Sequence, residues 1–195
     1  MRRTICLVSL ICLAALTAGC APEGARANST GATRRLPTTS STVSLVEQAI
    51  TKPPTLIVNG YAILPNANLA SADLSVANLR DVNLAGADLS SALLNTSSMA
   101  GANLVAASLN GASMYRASLV GADLRAANLS GANLSGADMV GADLRNSDLS
   151  GANLEEANLI NADLRNADLN GARLVSIYWD STTKWPRGFN APPSA

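Results

Sequence analysis

The chain has 195 residues, enough for one domain with appendages, and its 14 basic and 14 acidic residues cancel. A balanced charge gives no strong overall field toward nucleic acid or an acidic membrane. Histidine is absent, which removes the usual general base, the usual zinc ligand and the usual pH switch in one step.

The first element in chain order is an export signal. Met1-Arg2-Arg3 gives a positive start, and Ile5 to Leu16 is almost wholly apolar. That run falls short of the about 20 residues that span a bilayer. A basic start, a short apolar run and small residues before a cut describe a secretory signal over residues 1–19. The three cysteines, Cys6, Cys12 and Cys20, all lie in this region. No disulfide framework or CxxC site is therefore expected in the rest of the chain. The ending Leu16-Thr17-Ala18-Gly19-Cys20 resembles the bacterial lipobox, with Thr17 where Leu is most common. The resemblance implies that Cys20 is lipidated and becomes the mature N-terminus. Acyl chains at about 0.8 kcal/mol per buried methylene would then hold the protein on a membrane.

Residues 20–42 are rich in Ser, Thr, Ala, Gly and Pro and read as a flexible tether. Val43 to Ile50 has the pattern of a short helix, Pro53-Pro54 interrupts the chain, and Thr55 to Leu64 reads as an extended segment. Residues 43–61 are expected to form an N-terminal cap on the domain beyond them.

From Leu69 to Leu174 every fifth residue is Leu or Met, 22 positions without a break in phase, with Met only at 99, 114 and 139. Two residues before each stands Ala, except at Val82, Ser97 and Ser147, and the pair Ala62 and Leu64 carries the phase one unit further back. Such a register is the sequence mark of a repeat architecture. A helix would scatter residues five apart around its axis, and a flat strand would send them to opposite faces. The chain must turn once per unit, with Leu and the Ala two before it inside and the residues flanking Leu outside. The residue two after Leu then sits at a corner, and Gly occupies it nine times. A second period fixes the number of sides. Ala-Asp-Leu-Arg recurs at 122–125, 142–145 and 162–165, each twenty residues apart. Four units per turn make a square solenoid of about 5.5 coils, on the order of 26 Å long at the spacing of neighbouring strands. Aromatic residues are only 3% of the chain and the apolar fraction is mostly Ala and Leu, as a narrow interior demands.

These units resemble the pentapeptide-repeat family, A(D/N)LXX, over about residues 62–176. The resemblance implies an all-β fold, a right-handed quadrilateral β-helix. Residues 177–195 hold both tryptophans and the only phenylalanine, and they look like a closing segment over an apolar end.

The resemblance also carries a functional alternative, DNA mimicry toward topoisomerases. Mimicry needs a dense acidic surface, and residues 62–176 carry eleven acids against six arginines. Arg125, Arg145 and Arg165 run beside Asp123, Asp143 and Asp163, and an exported chain does not meet cytoplasmic DNA enzymes. No catalytic residue, cofactor or metal ligand is expected, because the acids have no nucleophile, phosphate loop or histidine to work with. The sequence points to a membrane-anchored, extracytoplasmic structural or interaction module that binds no nucleic acid. Its anchor is Cys20, and its partner is an unknown protein or a second copy. Val120, Val140 and Ile160 stack at twenty-residue spacing just after Leu, above Ala100, and form the candidate interaction stripe.

Overall fold

A computed structural model describes residues 55–195. The signal, Cys20, the tether and the helix expected over Val43–Ile50 lie outside the described residues.

The segment expected to be extended from Thr55 to Leu64 is instead folded on itself. Strands β1 (Leu56–Val58) and β2 (Tyr61–Ile63) pair antiparallel, Leu56 opposite Ile63 and Val58 opposite Tyr61. Asn59 and Gly60 form the turn with φ of 51° and 85°. Two successive positive angles are what a two-residue hairpin of type I′ requires, and Asn-Gly supplies them cheaply. Asn59 Nδ2 then donates to the Asp73 carbonyl at 3.2 Å, which ties the hairpin to the first coil. Ile63 is buried but Leu64 is 37% exposed, so the packed interior starts at Leu69, one unit later than the phase of Ala62 and Leu64 suggests.

From there the chain winds in coils of twenty residues. Parallel bridges join residues twenty apart, from Asn68 with Asp88 through to Asn158 with Tyr178. One bridge falls in each pentapeptide, so each coil has four sides. The first side carries Leu84, Leu104, Leu124, Leu144 and Leu164. The second carries Leu89 to Leu169, the third Leu94 to Leu154, and the fourth Leu79 to Leu159, each in steps of twenty. Every corner position from Asn66 to Ser176 has a positive φ, between 53° and 70°, whatever its residue. Only the second central residue of each turn is of this kind, as in a type II turn. At Gly136 a side chain would also meet Arg116, whose Cγ lies 3.1 Å from where a Cβ would stand.

Backbone carbonyls accept four of the five N–H groups of a unit, and a side chain accepts the fifth. Leu129 illustrates it. Its N–H donates to Asp148 O on the next coil (2.7 Å), Gly131 donates to Ser150 O (2.8 Å), and Asn128 donates back to Ala107 O (2.9 Å). Ala132 closes the turn on Leu129 O at 3.0 Å. The fifth N–H, on Ser130, has no backbone partner and donates to the Asn128 side chain at 3.0 Å. All sixteen Asn and Asp residues in that place before Leu, from Asn68 to Asp168, accept the same bond. A backbone donor left without a partner is costly, so this position selects Asn or Asp for its reach to the chain.

Leu and Ala fill the interior, and at every fifth position from Leu74 to Leu164 the Leu or Met is 0% exposed. Ser97 and Ser147 replace Ala at no loss, because their hydroxyls donate to Leu94 O and Leu144 O at 2.8 and 2.7 Å. Val82 is the larger intruder. Between Ala67 and Ala172 the turn before it is the one without the closing bond.

At the C-terminal end Trp179 stands where the phase calls for Leu. One extra residue then breaks the step, so that Asp163 bridges to Lys184, twenty-one residues on. Thr183-Lys184-Trp185 restores the Ala-Asp-Leu arrangement, with Thr183 buried and its hydroxyl donating to Leu159 O at 2.9 Å. Trp185 meets Trp179 edge-on at 5.7 Å and stacks on Phe189 at 5.3 Å, and Trp179 Nε1 donates to Pro192 O. Three large rings thus gather over the last coil, where they cover far more apolar area than Leu would.

Candidate interaction surface

With the interior filled, chemistry among the described residues falls to the outward positions and the ends of the rod. On the first side Asp123, Asp143 and Asp163 form one column and Arg125, Arg145 and Arg165 the next. Each arginine grips the aspartate two residues before it through Nε and Nη2, with Nη2–Oδ2 distances of 2.7, 2.6 and 2.7 Å. Bidentate hydrogen bonds of this kind hold the carboxylates below their ordinary range. Asp163 reaches about 2, because of its hydrogen bonds from Arg165 and the nearby charges of Arg165 and Lys184. The same carboxylates also accept the N–H of their arginine. They are spent on the coil and on their neighbours, and the row does not form a bare acidic strip.

The stripe lies on the fourth side, where Ala100, Val120, Val140 and Ile160 occupy one column. Val120 and Ile160 are 37% and 36% exposed, Val140 is half-buried, and Ala100 is covered. The three residues share one column, and Val140 is less open than Val120 and Ile160. Ser98 and Ser118 bridge each other on this side in place of Asn or Asp.

The adjacent third side carries an apolar set that stacking alone does not reveal. Val76, Leu93, Tyr115 and Val175 are all exposed there, Val76 most of all at 77%. They sit in three different columns, so a search at twenty-residue steps passes over them. Arg116 lies over the Tyr115 ring at 5.1 Å, and Asn95 Oδ1 accepts both the Ser113 hydroxyl and the Tyr115 N–H. Cys20, the lipid-attachment candidate, lies outside the described residues.

A family profile described as Pentapeptide repeats matches in eight copies over residues 64–95, 97–136 and 137–174, more than half of the chain. No curated protein matches the chain with significance. Among solved structures, a pentapeptide repeat protein from the cyanobacterium Cyanothece 51142 is 38% identical, over 48% of this chain and 63% of that one, with a TM-score of 0.47. One from the Arabidopsis thaliana thylakoid lumen is 33% identical, over 46% of this chain and 66% of that one, with a TM-score of 0.40. A third, from Nostoc, is 30% identical, over 76% of this chain and 88% of that one, with a TM-score of 0.27. The chain thus spans just under two thirds of the first two. With eight matched copies on a twenty-residue, four-sided coil, the chain belongs to the pentapeptide-repeat family.

Proposed function

We propose that this protein is a bacterial envelope lipoprotein whose rod presents flat sides to a protein partner or to a second copy of itself, without catalysis. Lipidated Cys20 holds it on the extracytoplasmic face of a membrane. Residues 20–42 tether it, residues 43–61 close the first coil, and residues 177–195 close the last of about 5.5 coils. The carrying observation is the division of labour inside each unit. Leu and Ala fill the core, Asn and Asp serve the backbone, and the free variation is left at the outward positions. There the fourth side aligns Val120, Val140 and Ile160 into a strip that buries apolar area against any flat partner.

Replacing these three residues together with Thr keeps β-branching and so keeps the coil. The expected result is loss of a captured partner, or of self-association in sedimentation, with an unchanged melting curve. Identical behaviour of variant and parent in both assays would refute a role for the stripe. The anchor is tested apart from the stripe. Cys20→Ser should move the protein from the detergent phase to the aqueous phase on partitioning, and continued membrane retention would refute lipidation at Cys20.

A further inference from the structure

The extra residue before Lys184 places Trp185 above Leu164 and Arg187 above the corner column of Asn146 and Asn166. These residues and Arg145 and Arg165 line a groove of about 410 Å³ at the edge of the first side. Its free hydrogen-bonding groups are nearly all donors. Arg145 and Arg165 use Nε and Nη2 on their own aspartates and leave other N–H groups unspent. Asn166 Nδ2 donates to Asn146 Oδ1 at 3.2 Å, which occupies one of the two carboxamide acceptors and leaves the Asn146 amide free to donate. Arg187 makes no ion pair among the described residues. Trp185 also lines the groove, and its Nε1 is buried without a hydrogen-bond partner among the described residues. The charges do not balance either. Arg145, Arg165 and Arg187 line the groove, and with Lys184, which pairs with Asp163 just outside it, they stand against Asp143 and Asp163, a positive excess of two over this cluster. Asp168 lines a separate hollow on the other side of Arg187 and does not pair with it.

We propose that this groove binds a phosphate-class oxyanion. A phosphate monoester carries close to the two negative charges the groove lacks. Its oxygens accept in several directions, which suits guanidinium groups arriving from two successive coils and from the closing loop. Free phosphate comes close to that charge, whereas the phosphodiester headgroup of an anionic lipid offers the same kind of acceptor oxygens with a single negative charge.

Both tryptophans of the chain stand at this end, so intrinsic fluorescence reports on the groove directly. The full-length chain, in neutral detergent at low ionic strength, is titrated with inorganic phosphate and, separately, with chloride at matched ionic strength. The headgroup arm uses full-length Cys20→Ser with phosphatidylglycerol or phosphatidylcholine vesicles, so that the acyl anchor does not contribute. The expected result is a saturable change with phosphate or with phosphatidylglycerol, and the arm that responds identifies the source. Arg187→Ala should weaken it at least tenfold with an unchanged melting curve. Arg125→Ala, in the same ladder but outside the groove, should leave it as it was. Absence of a saturable response in both arms overturns the proposal. Equal weakening by Arg125→Ala also overturns it, since the effect would then be general surface charge.

Discussion

Leu134→Asp should destabilise the rod by more than about 4 kcal/mol, a large share of the about 5–15 kcal/mol that typically holds a domain folded. Leu134 is 0% exposed and sits in the middle of its stack, with Met114 one coil below and Leu154 one coil above. A carboxylate placed there finds only Leu, Met and Ala, and every neighbouring backbone group is already paired. It must stay charged in an apolar interior or take up a proton, and both routes cost several kcal/mol. Ser135→Asp, one residue later and outside the core, loses the hydroxyl bond to Asn133 Oδ1 and should cost within about 1 kcal/mol. Denaturant midpoints of the two variants measure the difference. Equal midpoints would mean that the inward position has been misassigned.

The second large effect concerns the carboxamides and carboxylates before Leu. On the second side Asp88, Asn128, Asp148 and Asp168 accept the N–H two residues on at 3.0, 3.0, 2.9 and 2.9 Å. Changing all four to Ala should cost roughly 2–4 kcal/mol, since each lost bond of this kind is worth about 0.5–1 kcal/mol where water partly replaces it. Changing only the three aspartates to Asn keeps every acceptor and should leave neutral-pH stability almost unchanged. The two sets part company in acid. Bonds from Ser90 and Ser150 hold Asp88 and Asp148 below the ordinary value of 3.8. A carboxyl whose pKa is lowered on folding adds stability above its unfolded pKa and loses it as pH falls through the folded one. The parent should therefore weaken progressively below about pH 4, and the Asn variant should weaken less over the same window. Thermal melts from pH 5 to pH 2 check this. If Ala and Asn variants melt alike at pH 7, the side chains do not serve the backbone.

Much of this architecture is legible in the sequence because a solenoid repeats one local problem. The Leu at every fifth place and the twenty-residue recurrence of Ala-Asp-Leu-Arg dictate side, stack and inward direction before any long-range contact is considered. The hairpin at Asn59-Gly60 was also written in its two turn residues, but a reading by five-residue phase passes over it. The role of Asn128 and its counterparts is harder to see. A pattern of inward and outward positions marks them as exposed, and only the geometry of the turn shows a backbone N–H waiting beside them. The corner groove is least legible of all. It depends on one residue inserted between Tyr178 and Lys184, which shifts Trp185 and Arg187 over columns to which sequence spacing does not assign them.

The four-unit coil couples the length of the chain to compass bearing. Gaining or losing twenty residues would change the height of the rod by one layer, about 4.8 Å, and leave each surface column continuous. Gaining or losing five would rotate everything beyond the join by a quarter revolution. The arginines above such a join would then face where the valines did, and the aromatic end would close over a different edge. Any trait that depends on two coils pointing the same way can therefore tolerate a change in length between them only in whole layers of four units.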